Sequence, residues 1–130
     1  MKTSVIVATY NRPLYLRLCL LSLAASSDRP DEVLVADDGS TFETVDTIRE
    51  MQTSLKEVFP ILHVRQERKG IRKQIVVNEA VRQSSGDYLF FTDGDCIVHR
   101  HCLREHLQRS DPRAILAGQR VQLGKQLTEK

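Results

Sequence analysis

Apolar residues in this chain fall into short β-branched or aromatic runs, separated by longer stretches with helical periodicity. The runs are SVIVA (4–8), EVLVA (32–36), ILHV (61–64) and YLFFT (88–92). Strands alternating with helices predict βαβ units, and so an α/β fold with a mostly parallel, Rossmann-like sheet and helices on both faces. The last run lacks polar alternation, which predicts a strand covered on both sides. The first helix is predicted to start at Pro13, a residue favoured at the first helical position. It carries Leu14, Leu18, Leu21 and Ala25 along one side and Leu16, Leu20 and Leu23 along a second, the pattern of a well-buried helix. The second opens with STFE, where Ser40 caps and Glu43 reaches back as a capping box, and continues with Val45, Ile48, Met51 and Leu55 inward. The third follows Gly70, turns Ile71, Ile75, Val77, Ala80 and Val81 inward, and stops near SSGD (84–87), where glycine suits a helix end. A more polar fourth helix covers Arg100 to Arg109, and AILAG (114–118) reads as a fifth strand.

After Gly118 the polar stretch QRVQLGKQLTEK offers no further helix to cover the sheet. The expectation is one domain over residues 1–130, incomplete at its C-terminus. An open sheet edge and an uncovered helix face then predict self-association.

Composition narrows the classes. A length of 130 residues suits one domain. Nineteen basic against 17 acidic residues, net +2, is too mild for a nucleic-acid-binding face. No apolar stretch is long enough to span a membrane, and the first run is too brief for a signal-peptide core. Three cysteines without a CxxC pair predict a reducing, cytoplasmic compartment.

The candidate chemistry lies where the runs end. YLFFT leads into Asp93, Gly94 and Asp95, EVLVA into Asp37, Asp38 and Gly39, and SVIVA into Thr9, Tyr10, Asn11 and Arg12. In open α/β sheets ligands bind outside the carboxyl ends of the strands. Asp93 and Asp95 repel each other unless a cation lies between them, and a divalent ion with hard oxygen ligands fits that need. Each turn also has a plain alternative: DDGS as a turn and helix entry, TYNRP as a loop into a proline-started helix, DGD as a tight turn in solvent. Between the third and fourth runs, VRQERKGIRK (64–73) carries Arg65, Arg68, Lys69, Arg72 and Lys73 against one glutamate. A basic loop entering a helix suits a phosphate, with Arg72 and Lys73 the better candidates because they lie inside the helix start. A solvated charged loop is the alternative. Together these parts describe a nucleotide-diphosphate site with a metal to stabilise a leaving phosphate. His99, His101 and His106 match no zinc spacing and read as a polar helix surface. Cys96 reads as a small buried hydrophobe, since no base partner accompanies it.

VIVATYNRP, VLVADDGS and GDYLFFTDGDCI, in this order and spacing, resemble the nucleotide-sugar-binding half of family 2 glycosyltransferases of the GT-A fold, from about Thr3 to His106. The resemblance implies that Thr9 and Asp38, with Asp37 as neighbour, contact the nucleoside, and it adds Tyr10 and Asn11 to the nucleotide-binding set. It implies Arg72 near the diphosphate, Asp93 at the ribose and metal, and Asp95 as direct ligand of Mn²⁺ or Mg²⁺. The implied activity is transfer of a sugar from a UDP-, GDP- or dTDP-sugar to a saccharide or lipid-linked acceptor with inversion, as in polysaccharide biosynthesis. The implied setting is the cytoplasm, at the inner face of the membrane. Two departures stand out. IRKQIVVNEA replaces the small-residue and arginine pattern of many members, so the arginine assignment rests on Arg72 alone. The general base that deprotonates the acceptor belongs to a later segment, expected beyond Lys130, together with the acceptor-binding half.

Competing classes fit less well. A phosphoacceptor signalling domain would carry its acidic pair after the first strand and a lone aspartate after the third, where HVRQ stands. A phosphatase-like hydrolase would carry its DxD after the first strand. A nucleotide-binding module without catalysis is the remaining alternative.

Overall fold

The computed structural model describes residues 1–70, 72–111 and 113–118. The order along the chain is β1 (Thr3–Thr9), α1 (Pro13–Ala24), β2 (Glu32–Asp37), α2 (Phe42–Ser54), β3 (Ile61–Arg65), α3 (Lys73–Gln83), β4 (Tyr88–Asp93) and α4 (Cys102–Gln108). The four strands form one sheet in the order β3-β2-β1-β4, every pairing parallel. The α/β expectation therefore holds, with strand bounds within a residue or two of those read from the sequence.

The chain winds from β1 through α1 to β2 and through α2 to β3 on one face, then crosses by α3 on the other face to reach β4 beside β1. Two cores result. Val5, Val7, Val33, Val35 and Phe90 pack against Leu16, Cys19, Leu20 and Leu23 of α1, Ile48 and Met51 of α2 and Leu103 of α4. On the opposite face Ile6, Leu34, Ala36 and Val64 meet Val76 and Ala80 of α3. β1 and β2 are buried along their whole length, as inner strands of a two-sided sheet must be.

β4 differs from the expectation of full cover. It is an edge strand, and α3 packs over β2, β1 and β3 instead, so Phe91 is 54% exposed while its neighbour Phe90 is buried. In α1 only the Leu16, Leu20 and Leu23 side is buried; Leu14, Leu18 and Leu21 face outward. In α2, Thr44 and Thr47 join Ile48 and Met51 on the buried side, while Val45 is half-buried. In α3, Ala80 is buried and Val77 and Val81 pack partly against the core as expected, but Ile75 is exposed and Val76 points inward in its place; Ile71 lies outside the described residues. The capping box does not form. Thr41 is the N-cap residue without a side-chain cap, because the Ser40 hydroxyl bonds the β1–α1 loop instead. α4 is shorter than expected, and 114–118 forms no strand, with Ile115 almost fully exposed. Four consecutive apolar residues, two of them alanine, bury too little surface to offset the cost of ordering a strand. The polar stretch after Gly118 lies outside the described residues. No described helix is long and apolar enough to cross a membrane.

At the N-terminal edge of the sheet a buried glutamate ties three segments together. Glu32 Oε2 accepts hydrogen bonds from Ser4 Oγ (2.6 Å) and from the Ser85 N–H (2.7 Å), and the Gly86 N–H donates to Ser4 Oγ (2.9 Å). Burial pushes the Glu32 carboxyl up, but the Ser4 and Ser85 bonds outweigh it and hold the group below its usual range. Gly86 is needed here for close approach rather than for ending α3, which closes at Ser84. A Cβ at Gly86 would lie 2.6 Å from the Ser4 nitrogen. Gly86→Ala must push β4 away from β1 and is expected to cost about 1–3 kcal/mol, read as a lower urea midpoint. An unchanged midpoint would contradict this account of the strand entry.

Candidate active site at the carboxyl edge of the sheet

Strand register alone gathers the three polar turns. Thr9 pairs with Asp37, and Ala8 pairs with Asp93. The ladders run one step further: the Asp38 N–H donates to the Thr9 carbonyl (3.2 Å) and the Gly94 N–H to the Ala8 carbonyl (2.7 Å). Gly94 permits this closeness, since a Cβ there would stand 3.1 Å from the Ala8 oxygen and 3.2 Å from Thr9 Oγ1. Strand order reverses between β1 and β4, and such a reversal opens a crevice in a doubly wound sheet. A cleft of about 310 Å³ lies there, lined by Thr9, Tyr10, Asp38, Arg68, Lys73, Asp93 and Asp95, among others.

The two loops flanking the cleft are stitched to each other. Asn11 adopts φ 48°, a left-handed conformation that asparagine tolerates better than most residues. Its N–H donates to Ser40 Oγ (2.9 Å), and its side-chain oxygen accepts from the Thr41 N–H (2.7 Å). Asn11 is thus engaged with the β2–α2 turn.

The paired aspartates of the second turn have separate surroundings. Asp37 is fully buried: Oδ1 accepts from the Ser40 N–H (2.9 Å), Oδ2 meets His63 Nε2 at 2.8 Å, and Arg65 Nε lies 3.7 Å away. Burial pushes its carboxyl pKa up, but the bonds from His63 and Ser40 outweigh that and hold it low. Asp38 borders the cleft. Its Oδ1 accepts from Gln66 Nε2 (2.8 Å), and its Oδ2 from an Arg68 guanidinium nitrogen (2.7 Å) and the Arg72 main-chain N–H (3.1 Å). Desolvation raises its pKa, and these bonds with the Arg68 charge bring it below the usual carboxylate range. Arg72 therefore meets the site through its backbone, at the N-cap of α3.

At the end of β4, Asp93 Oδ1 is 2.5 Å from Lys73 Nζ, and just beyond it Asp95 is exposed at the cleft. Thr9 Oγ1 is buried without a hydrogen-bond partner, an orphaned polar atom at the wall of the cleft. Asp93 and Asp95 offer hard carboxylate oxygens from a single turn. Among the described residues no group of three or more such side chains could cage a metal. The donor set fits a divalent cation that completes its shell with phosphate oxygens and water, as magnesium-like ions do.

The histidines split. His99 and His101 rings are 5.6 Å apart with His101 Nδ1 at 3.1 Å from Ser27 Oγ, while half-buried His106 stands edge-on to the core residue Phe90. Cys96 is half-exposed rather than buried; the buried thiol is Cys19, raised to about 12 chiefly by burial. Gln66 and His63 escaped the sequence reading. A histidine inside the apolar ILHV run was the available signal, because a polar group in a covered strand needs a partner, and Asp37 is its diagonal neighbour on β2.

A family model described as Glycosyl transferase family 2 matches residues 4–129. An uncharacterized glycosyltransferase of Bacillus subtilis, YfnE, is 34% identical over 110 residues, covering 83% of this chain and 26% of its own length. Among solved structures, Staphylococcus aureus TarS in complex with UDP-GlcNAc superposes with a TM-score of 0.69 at 30% identity, over 83% of this chain and 30% of that one. The mannosyltransferase PcManGT of Pyrobaculum calidifontis, in complex with GDP-Man and Mn²⁺, gives 0.75 at 28% identity, over 85% and 33%. The chain thus spans about a quarter to a third of these relatives.

The folded pKa values of Asp37 and Asp38 lie below the unfolded value of about 3.9. The stability they contribute is complete above about pH 5 and is lost as pH falls through 3.9 towards the folded values. Urea unfolding from pH 7 to pH 3 is expected to show this decline. Asp37→Asn, which leaves His63 and the Ser40 turn without their carboxylate, should be less stable by about 2 kcal/mol at pH 7 and show a shallower decline. A mutant with the wild-type slope would exclude Asp37 as its source.

Proposed function

The chain belongs to glycosyl transferase family 2, an enzyme class with a GT-A fold, and on that premise we propose that residues 1–130 form its donor half. In this reading it binds a nucleotide-diphosphate sugar and a divalent metal, and the sugar passes to an acceptor hydroxyl with inversion. The observation that carries the reading is the convergence of Thr9, Tyr10, Asp38, Asp93 and Asp95 on one cleft at the reversal of strand order.

Each side chain has a role that its surroundings support. Asp38 is a carboxylate held ionised, suited to accept an N–H from the edge of a base. Tyr10 is 39% exposed and offers a ring face on which a base can stack. Thr9 Oγ1 has a hydrogen bond still to give or accept. Asp93 and Asp95 would hold Mn²⁺ or Mg²⁺, with Asp93 also near the ribose. When bound there, the metal supplies Lewis-acid stabilisation of the charge on the leaving diphosphate. Lys73, and Arg72 through its N–H at the start of α3, add positive potential to the same wall. Asp37 and Asn11 support the site from behind, by fixing the two loops that carry Asp38 and Tyr10.

None of the described residues takes the role of general base; we assign it, with acceptor binding, to a segment following Lys130. The donor is a UDP-, GDP- or dTDP-sugar and the acceptor a saccharide or a lipid-linked glycan. The cytoplasmic side of a membrane is the proposed setting. Three cysteines, free among the described residues, support a reducing compartment.

Calorimetric titration of UDP, GDP and dTDP, each with and without Mn²⁺, tests the donor site. One nucleotide is expected to bind, at least tenfold more tightly with Mn²⁺, and Asp95→Ala should remove that gain. A folded chain that binds none of the three, or binds without regard to the metal, would overturn the reading.

A further inference from the structure

The slot beside Asp38 is filled by the chain's own Arg68. Its guanidinium carbon lies 3.8 Å from the centre of the Tyr10 ring, at stacking distance, while one of its terminal nitrogens donates to Asp38 Oδ2 at 2.7 Å. A flat group with N–H donors, layered on an aromatic ring and bonded at its edge to a carboxylate, has the shape and polarity of a nucleobase. Tyr10 and Asp38 come from different turns, so one group meeting both is a specific fit rather than a random surface pairing. Its backbone is also held in place. Gly39 has φ 78°, and a Cβ there would come within 2.5 Å of the Arg68 nitrogen, so the 66–70 loop sits directly on the β2–α2 turn and aims Arg68 at the slot.

We infer that Arg68 is an internal stand-in for the base, which occupies the nucleoside slot of the ligand-free chain and is exchanged for the base on binding. The inference rests on the nucleotide-binding reading and adds a competitor within the same site. Both partners of Arg68 are shared with the incoming base, so base and guanidinium exclude each other. The observed affinity for a nucleoside is then the intrinsic affinity reduced by the fraction of chains with the slot open. Arg68 also lines the cleft that holds Lys73, Asp93 and Asp95, so its release leaves a cation in the cleft proposed for the diphosphate.

Uridine, which carries neither phosphate nor any need for metal, isolates the exchange. In metal-free buffer, Arg68→Ala is expected to bind uridine roughly tenfold more tightly than wild type, as for a slot open about a tenth of the time. Arg68→Lys, which keeps the charge but loses the planar stack, should fall between them. By NMR, the ligand-free wild type should show a nuclear Overhauser effect between the Arg68 side chain and the Tyr10 ring that disappears on saturation with uridine. Equal or weaker uridine binding by Arg68→Ala, at unchanged unfolding temperature, overturns the exchange while leaving the nucleotide site intact. An Overhauser effect that is absent without ligand, or persists at saturation, overturns it as well. Failure of both proteins to bind uridine, UDP, GDP or dTDP would instead overturn the nucleotide reading and this inference with it.

Discussion

Everything at the site depends on the parallel pairing of β1 between β2 and β4. Parallel ladders fix which residues stand side by side, and here they align Thr9 with Asp37 and Ala8 with Asp93. Because all four strands run the same way, every strand delivers its C-terminal turn to one edge, while α3 crosses to the opposite face and brings its basic N-terminus to that edge. Side chains separated by up to 86 positions in the chain are thereby brought to one cleft, where the Lys73–Asp93 and Arg68–Asp38 pairs then form across it. The cost lies at the other end of the sheet, where the Ser4, Glu32 and Ser85 network and the bare backbone of Gly86 are required to seat β4 beside β1.

Four carboxylates at the active edge divide the work by their surroundings. Asp37 is sealed in and stays ionised through His63 and Ser40, so it holds the shape of the turn. Asp38, one residue on, keeps one side on the cleft, where Arg68, Gln66 and the start of α3 compensate its charge. Asp93 meets Lys73, and Asp95 stands open at the mouth. Asp37 and Asp38 are both buried, but Asp37 is enclosed by its own turn while Asp38 lines the cleft, where its Arg68 partner is replaceable. Replaceability is the property a ligand site needs.

Much of this was legible in the sequence. Strand positions could be read because each run of β-branched residues ends in a polar turn, and the turns carry the site. The helix faces were less legible. Leu14, Leu18 and Leu21 have the spacing of a buried stripe yet face outward, since apolar periodicity marks a face without saying what covers it. The apolar run at Phe90 and Phe91 hid an edge strand for the same reason. Ser40 looked like a helix cap because its local sequence is that of one; a tertiary bond from Asn11 claimed it instead. Arg68 was one of five cations in a loop, and nothing local distinguished the one that reaches Tyr10 and Asp38. That choice is made by Gly39, 29 positions earlier, whose missing side chain lets the loop close down.

The central claim is that the β1–β4 boundary is the metal and diphosphate site, and Mn²⁺ can report it by position. In a ¹H–¹⁵N spectrum recorded with UDP, substoichiometric Mn²⁺ broadens amide signals according to their distance from the ion. The account predicts first loss of the Asp93, Gly94 and Asp95 signals, followed by Thr9 and Lys73, with Asp95→Ala abolishing the pattern. Broadening centred on His99 and His101, with the Asp93–Asp95 turn untouched, would contradict it.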